Sequence, residues 1–202
     1  MSDDFTVVDL LRHGEPEGGQ MFRGSVDDPL SPRGWEQMRA AVGDYRDWDA
    51  VITSPLIRCA AFARELAARL DRPLEIVDDF SEIGFGVWEG RSVAEVHDAD
   101  PLAIAQFWRD PVAHPIPGGE PVEIFDRRIR RAWDGLMRRY HCRHVLLVAH
   151  GGAIRMILRQ LLDMPVRRIW RIEVPFAALS RIRRHRDPEV DPHLVFHNGR
   201  LV

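Results

Sequence analysis

The sequence predicts a three-layer α/β domain, in which helices cover both faces of a mixed and mostly parallel sheet. Strand-like and helix-like segments alternate from the start of the chain, which is the first observation behind this prediction. The second is a wholly apolar run at 145–149, typical of a central parallel strand covered on both sides. The third is the length of 202 residues, 45% of them hydrophobic, which suits one core, so we expect a single domain over residues 1–202.

The first part of the chain is predicted to follow a β-α-β-α-β order. Strands are expected at 5–11, 50–53 and 74–77. Between the first two strands, apolar residues recur at helical spacing, and Ser31 and Pro32 supply the N-cap and the first position of that helix. A second helix is expected over 56–70, because Ala63, Leu66 and Leu70 fall on one side of it.

Residues 92–121 interrupt this alternation with a short helical piece and then several prolines and a glycine pair, which predict an excursion over the sheet edge, as a side wall or lid. The longest helix follows over 122–140, with an apolar stripe on one face and the arginines of 127–131 on the other. After the strand at 145–149, another helix begins directly. We expect the tail to form short antiparallel strands at 169–174, 179–182 and 194–196.

Composition excludes several classes of protein. No biased tract resists core formation, and no apolar run approaches the roughly 20 residues that a membrane span needs. The start, Met1 to Asp4, is acidic where a secretory signal would be basic. Cys59 and Cys142 have no C-x-x-C spacing, so we expect both to be reduced and buried. These features together predict a cytoplasmic protein without a membrane partner.

All 28 basic residues are arginines, so any anion site must use arginine, histidine or backbone N–H groups. Residues 1–126 hold 11 arginines against 25 acidic residues, and residues 127–202 hold 17 against 6. A basic half is compatible with nucleic-acid binding. Most of these arginines, however, fall on polar faces of predicted amphipathic helices, where solvated charge is the usual role. We therefore expect no nucleic-acid partner.

Three polar clusters directly follow three predicted strands. They are 12–15 (Arg-His-Gly-Glu), 54–58 (Ser-Pro, then Arg) and 150–152 (His-Gly-Gly). Sites in open α/β sheets form at the carboxyl ends of strands, so these clusters are expected to converge. Two guanidiniums suit a phosphate group, and an imidazole can act as a nucleophile. The combination predicts a site for a small phosphomonoester.

Four motifs occur in order on these elements: R-H-G-E/Q at 12–15, S-P-L-x-R-A with cysteine in its last position at 54–59, E-x-x-F-G-x-W-E-G at 82–90 and A-H-G-G at 149–152. A P-G-G-E loop follows the third, at 117–120. In these motifs the sequence resembles the histidine phosphatase superfamily, which includes cofactor-dependent phosphoglycerate mutases and α-ribazole phosphatases.

The resemblance implies a catalytic role for five residues. His13 would attack phosphorus and become phosphohistidine, while Arg12, Arg58 and His150 would form the anion pocket. Glu82 would protonate the leaving group and then activate water, with Glu89 as the competing carboxylate.

Four further residues are expected to contact substrate or phosphate. Arg23 would reach in from a loop beside Gly24, Gly14 would permit close approach because it lacks Cβ, and the helix beginning at Gly151 would offer N–H groups. Neither a cofactor nor a metal is expected, because a set such as His141, Cys142 and His144 lacks a fourth ligand.

Departures from the motifs narrow the expected activity. Pro16 follows Glu15 where a mutase has Thr or Ser, Phe62 stands where the family usually has Thr, and the stretch between Glu82 and His150 is short for a mutase. The resemblance is strongest to the α-ribazole phosphatases of cobalamin synthesis, so we expect a metal-independent hydrolase of α-ribazole 5′-phosphate or a similar small ester. Two alternatives stay open, a phosphoglycerate mutase and an arginine-rich nucleic-acid-binding module with a relic pocket. The oligomeric state is also open, a homodimer included.

Overall fold

The computed structural model describes residues 4–201, so Met1 to Asp3 of the acidic start, and Val202, lie outside the described residues. One six-stranded sheet has the order β3-β2-β4-β1-β5-β6. Its first four strands are parallel to one another, β5 is antiparallel to its neighbour β1, and β6 is antiparallel to β5. The strands are β1 (Phe5–Arg12), β2 (Ala50–Thr53), β3 (Leu74–Ile76), β4 (His144–Ala149), β5 (Leu179–His185) and β6 (His193–His197). The predicted fold class is confirmed.

Helices cover both faces of this sheet. They are α1 (Pro32–Val42), α2 (Ile57–Leu70), α3 (Val93–Ala99), α4 (Pro101–Arg109), α5 (Val122–Arg139) and α6 (Gly151–Leu161). One core joins α5 and α6 to the sheet through Val8 and Leu10, and the other joins α1 and α2 through Leu11 and Val51. Ser31 caps α1 as predicted, with its hydroxyl accepting from the Gly34 N–H at 3.0 Å. Within residues 4–201, no helix has the length and apolar character for a membrane crossing.

The central strands bring three predicted clusters to one edge. β1 and β4 pair in parallel from Val7 opposite His144 to Arg12 opposite Ala149, so both strands end at the same level. The His13 N–H then donates to the Ala149 carbonyl at 3.0 Å. β2 ends beside them, with the Ser54 N–H donating to the Val148 carbonyl at 3.1 Å. The residues that follow β1, β2 and β4 therefore emerge side by side.

Three local predictions differ from the structure. Residues 92–121 contain two helices, α3 and α4, because Asp100 caps a second helix that starts at Pro101. The strand predicted at 169–174 is wrong, since Val166–Arg171 forms a 3₁₀ helix. Trp170 of this 3₁₀ helix packs on Trp108, with ring centroids 4.6 Å apart. Cys142 is only half-buried, although Cys59 is fully buried as expected and both are free thiols.

A charged network that the sequence did not reveal crosses the α1–α2 core. Asp9 of β1 is fully buried and accepts hydrogen bonds from Trp48 Nε1 at 2.8 Å, His144 Nε2 at 2.9 Å and Arg181 Nε at 2.7 Å. Burial by itself would raise the pKa of Asp9, but the hydrogen bonds from His144 and Arg181 outweigh it and lower that pKa. The ionised carboxylate thus ties β1, β4 and β5 together.

Candidate active site

Two histidine rings meet where β1 and β4 end. The ring centroids of His13 and His150 are 5.2 Å apart, with the planes at 63°. Both side chains are buried. His13 Nδ1 lies 2.7 Å from the Gly14 carbonyl oxygen, and because a carbonyl only accepts, Nδ1 carries the proton and Nε2 keeps the lone pair. His150 Nε2 lies 2.7 Å from Ser54 Oγ, which fixes the second ring.

Both rings are neutral at neutral pH. Burial is the main cause that holds the pKa of His13 well below its ordinary value, and the charges of Arg12 and Arg58 lower it further. Burial likewise holds the pKa of His150 far down, followed by the charge of Arg58. A neutral imidazole with a free lone pair is the form that attacks phosphorus.

Arg12 lies in the wall of the cavity beside His13. Its Nη1 donates to the Val174 carbonyl at 2.5 Å, and its guanidinium lies 4.3 Å over the ring of Phe176. Its Nε is buried without a hydrogen-bond partner in residues 4–201. Burial, followed by the charge of Arg155, lowers the pKa of Arg12 to about 10, so the group stays charged at neutral pH. A cation whose buried Nε donor is left unpaired favours an anionic ligand.

Arg58 stands behind the rings rather than in the cavity wall. The side chain is fully buried at the start of α2, and its guanidinium donates to the carbonyls of Val26 at 2.8 Å and Arg23 at 3.1 Å. Its Nε, like that of Arg12, has no partner in the described part of the chain. Arg58 therefore anchors the 23–26 loop. Its positive charge also lowers the pKa of both imidazoles.

The cavity itself measures about 390 Å³ and opens beside His13. Its polar wall holds Arg12, His13, Arg23, Glu82, Gly151, Gly152 and Arg155. The rest of its wall is mostly apolar and aromatic, with Phe22, Phe85, Trp108, Trp170 and Phe176. Two of these five aromatic rings, Trp108 and Trp170, come from the excursion and from the 3₁₀ helix, regions where the sequence-based predictions differ from the structure. The site thus joins a cationic end to an aromatic compartment.

The structure separates the two candidate carboxylates. Glu82 lies in the cavity, where its Oε2 accepts from the Gly152 N–H at 2.9 Å and its Oε1 accepts from the Ile83 N–H at 3.1 Å. Glu89 instead accepts from the backbone N–H groups of Gly24, Ser25 and Phe85 at 2.8–3.0 Å. Glu89 is engaged in holding a loop, and of the two carboxylates it is Glu82 that lines the cavity.

Arg23 and Gly24 have different surroundings. Arg23 lies in the cavity wall, but its three guanidinium nitrogens donate to the Asp28 carboxylate and to the carbonyls of Gly19 and Glu17, each at 2.5 Å. Gly24 is not part of the cavity wall. Its N–H donates to the Glu89 carboxylate, and a Cβ at this position would lie 2.1 Å from the Ile83 carbonyl oxygen. Gly24 is therefore needed for loop packing.

The two remaining glycines of the predicted site, Gly14 and Gly151, have different surroundings. A Cβ on Gly14 would lie 2.1 Å from the Gly34 carbonyl oxygen, so Gly14 lets the start of α1 approach the end of β1. The sequence predicted that this glycine makes room for substrate, whereas the close neighbour is the protein backbone. Gly151 lies in the cavity wall at the first turn of α6.

Three polar residues of the site were missed or left without a role. Arg155 lies in the cavity wall, donates to the Ile172 carbonyl at 2.8 Å and lies 5.5 Å over the ring of Trp170. Its position four residues after Gly151 on α6 was the available signal. Ser54 belonged to a recognised cluster, and its contact with His150 gives it a role. Arg128 was placed on a solvated face, but its side chain is 16% exposed and contacts the segment that carries Glu82.

Within residues 4–201, no three His, Cys, Asp or Glu side chains converge in the way a metal ion would need. The cationic groups around His13 instead provide an environment for a dianionic phosphate ester.

Comparison with known proteins adds independent information. The model of the histidine phosphatase superfamily (branch 1) matches residues 8–193. A Mycobacterium tuberculosis protein named bifunctional protein Rv2228c is 34% identical over 197 residues, covering 95% of this chain. The chain spans only 54% of that relative, about half its length.

Two further matches cover nearly whole proteins. An Escherichia coli protein named adenosylcobalamin/alpha-ribazole phosphatase is 28% identical over 178 residues, covering 86% of this chain and 87% of that protein. Among solved structures, a mycobacterial glucosyl-3-phosphoglycerate phosphatase matches with a TM-score of 0.83 and 25% identity, covering 96% of this chain and 99% of that one. The names of these two relatives refer to different substrates.

Proposed function

Because the chain belongs to the histidine phosphatase superfamily (branch 1), we propose that it is a metal-independent phosphomonoesterase that works through a phosphohistidine intermediate. The observation that carries the proposal is the pair of buried, neutral imidazoles 5.2 Å apart with the charges of Arg12 and Arg58 beside them. A nucleophile, a charge-stabilising pocket and a carboxyl group for proton transfer are all within one site.

In the first step, His13 Nε2 attacks phosphorus in line, the N–P bond forms and the ester P–O bond breaks. Glu82 gives its proton to the leaving oxygen. The Gly14 carbonyl accepts from Nδ1–H of His13 and so supports the positive charge that develops on the ring. Arg12 stabilises, from the cavity wall, the charge that spreads over the phosphoryl oxygens, and His150 and Arg58 add to this from positions outside that wall.

In the second step, water attacks the phosphohistidine, a P–O bond forms and the N–P bond breaks. Glu82, now ionised, takes a proton from that water, and phosphate is released. Its carboxylate lies at the N-terminus of α6, where Oε2 accepts from the Gly152 N–H. The same group thus serves as acid and then as base.

The proposed substrate is α-ribazole 5′-phosphate or a similar small ester. The aromatic wall formed by Phe22, Phe85, Trp108, Trp170 and Phe176 suits a planar apolar group such as a substituted benzimidazole. A volume of about 390 Å³ beside the cationic end suits a small metabolite better than a macromolecule. The name of the Escherichia coli relative agrees with this choice, but other relatives carry other names.

The test offers a panel of phosphomonoesters to the purified protein with EDTA present and measures phosphate release. We expect hydrolysis to be retained in EDTA, with the highest kcat/KM for esters of aromatic nucleosides, and acid-labile phosphate on the wild-type protein. His13→Ala removes both turnover and labelling.

Labelling that survives in His13→Ala overturns the assignment of His13. Transfer of phosphate between carbons of phosphoglycerate, in place of release to water, overturns hydrolysis in favour of a mutase.

A further inference from the structure

The segment that carries Glu82 has almost no regular secondary structure of its own. It follows a 3₁₀ turn at Asp78–Phe80 and precedes another at Gly86–Trp88. A backbone without a helical or sheet ladder must have its polar groups satisfied from elsewhere, and those partners determine its shape. The position of the Glu82 carboxyl group therefore depends on what binds the 79–84 backbone.

Arg128 of α5 provides most of those partners. Its Nη1 donates to the carbonyls of Asp79 and Ser81, both at 2.7 Å, and its Nη2 donates to the carbonyl of Glu82 at 2.9 Å. One planar guanidinium thus gathers three carbonyl groups of the same turn. An ammonium group could not match this geometry, because its three donors are not held in a fixed fork.

Glu120 completes the arrangement from the other side. Its carboxylate accepts from Arg128 Nε at 2.8 Å and Nη2 at 2.7 Å, and from the Gly84 N–H at 3.4 Å. The Glu120 N–H donates to the Gly84 carbonyl at 2.8 Å. With 16% and 19% of their side chains exposed, Arg128 and Glu120 form a largely buried ion pair that grips both ends of the Glu82–Gly84 stretch.

We propose that Arg128, paired with Glu120, is a positioning residue that holds Glu82 in place for proton transfer, an inference that rests on the proposed role of Glu82 as the general acid. The pair touches the backbone of Glu82 and leaves its carboxyl group free to face the cavity. Loss of the Arg128–Glu120 pair lets the 81–84 turn relax and moves the Glu82 carboxyl group away from the leaving oxygen. Proton transfer then suffers more than phosphate binding, because Arg12, His13 and His150 lie at the ends of β1 and β4, outside the turn that Arg128 holds.

The test uses two substrates that differ in their need for an acid. p-Nitrophenyl phosphate releases a weakly basic phenolate that leaves without a proton, whereas an alkyl phosphomonoester such as glycerol phosphate releases an alkoxide that needs one. The measured quantity is kcat/KM, which reports phosphoryl transfer to His13 and not the later hydrolysis. The variants are Glu82→Gln, Arg128→Gln and Glu120→Gln.

Arg131→Gln is the matched control. Arg131 lies on the same helix and pairs with the Asp79 carboxylate at 2.8 Å, but its side chain is 70% exposed and makes no hydrogen bond to the Glu82 segment beyond Asp79 in the described residues. It tests whether any lost arginine contact to this turn lowers activity.

For Glu82→Gln we expect a loss on the alkyl ester of about 100-fold or more and a much smaller loss on p-nitrophenyl phosphate. Arg128→Gln follows the same pattern, with about ten-fold on the alkyl ester and within about two-fold on the aryl ester. Glu120→Gln is the milder change, and it carries the test in the same direction if Arg128→Gln does not fold. Arg131→Gln matches wild type on both substrates.

Equal losses of Arg128→Gln and Glu120→Gln on both esters, beside a selective loss in Glu82→Gln, overturn the positioning role and leave the proposed function standing. An unselective loss in Glu82→Gln overturns the acid role of Glu82, and the positioning role with it.

Discussion

Replacing Gly152 with alanine is predicted to separate activity from stability. Gly152 is the second residue of α6, and its N–H donates to Glu82 Oε2. A Cβ at this position would lie 2.2 Å from Glu82 Oε1 and 3.0 Å from its Cδ, far inside the 3.4 Å of ordinary contact. The atoms in the way belong to the end of a flexible side chain, so the carboxyl group moves and the backbone stays.

The magnitude follows from this geometry. Relief of the contact displaces the carboxyl group by about 1 Å, and a misplacement of that size can cost roughly 100-fold in rate. In free energy this is about 2.7 kcal/mol of lost transition-state stabilisation. The helix, in contrast, gains from the exchange, because alanine favours helical backbone over glycine by up to about 1 kcal/mol.

The assay pairs kcat/KM for an alkyl phosphomonoester with the midpoint of thermal unfolding. We expect Gly152→Ala to lose about 100-fold in kcat/KM while Tm is unchanged or raised. Gly135→Ala on α5 is the matched control, because its Cβ would make only an ordinary 3.5 Å contact with the Arg139 side chain. That variant gains helix propensity and keeps full activity.

Wild-type activity in Gly152→Ala, together with an unchanged or higher Tm, would refute the reasoning, since Glu82 would then be dispensable where the structure places it. A lower Tm would show instead that the backbone, and not the side chain, gives way.

Three further perturbations test other parts of the molecule. Gly14→Ala places a Cβ 2.1 Å from the Gly34 carbonyl oxygen, a backbone atom, so chemical denaturation should show a loss of about 2 kcal/mol or more, accompanied by loss of activity. The depressed pKa values of His13 and His150 mean that the unfolded chain takes up protons which the buried rings do not. Unfolding free energy therefore falls as pH drops below the ordinary histidine range, by up to about 1.4 kcal/mol per pH unit for each ring, while NMR shows both rings still neutral. Asp9→Asn breaks a buried charge network and should lower the unfolding free energy by about 3 kcal/mol in the same denaturation experiment. The stability that the depressed pKa of Asp9 confers is present above the ordinary carboxyl range and is lost as pH falls below it.

Each of these has a result that contradicts it. Gly14→Ala with wild-type stability would mean that α1 can retreat from β1 without cost. Ring signals of His13 or His150 that titrate in the ordinary histidine range would remove the argument for a neutral nucleophile. If Asp9→Asn unfolds at the wild-type denaturant concentration, the network contributes no net stability and burial of the neutral amide compensates.

The central strand β4 and the start of α1 could be predicted because their signals are local. The apolar run at 145–149 and the capping pair Ser31 and Pro32 each depend on a few neighbouring residues, and both predictions were confirmed. The segment 169–174 was predicted as a strand, but part of it belongs to a 3₁₀ helix whose Trp170 packs on Phe107 and Trp108 of α4. These contacts join segments that are far apart in the chain, so no window of sequence contains them.

The site divides in the same way. The sequence alone determined which functional groups are available, because the motif residues at 12–15, 54–59, 82–90 and 149–152 fix which imidazole, guanidinium and carboxyl groups the chain carries. Only the tertiary structure decided how they are used. It placed Arg12 and His13 in the cavity wall and Arg58 behind it, engaged Glu89 with backbone N–H groups, and turned Arg128 inward to the Glu82 segment. The physical reason is that hydrogen bonds and burial join residues distant in the chain, so a side chain's role depends on partners that its own segment does not specify.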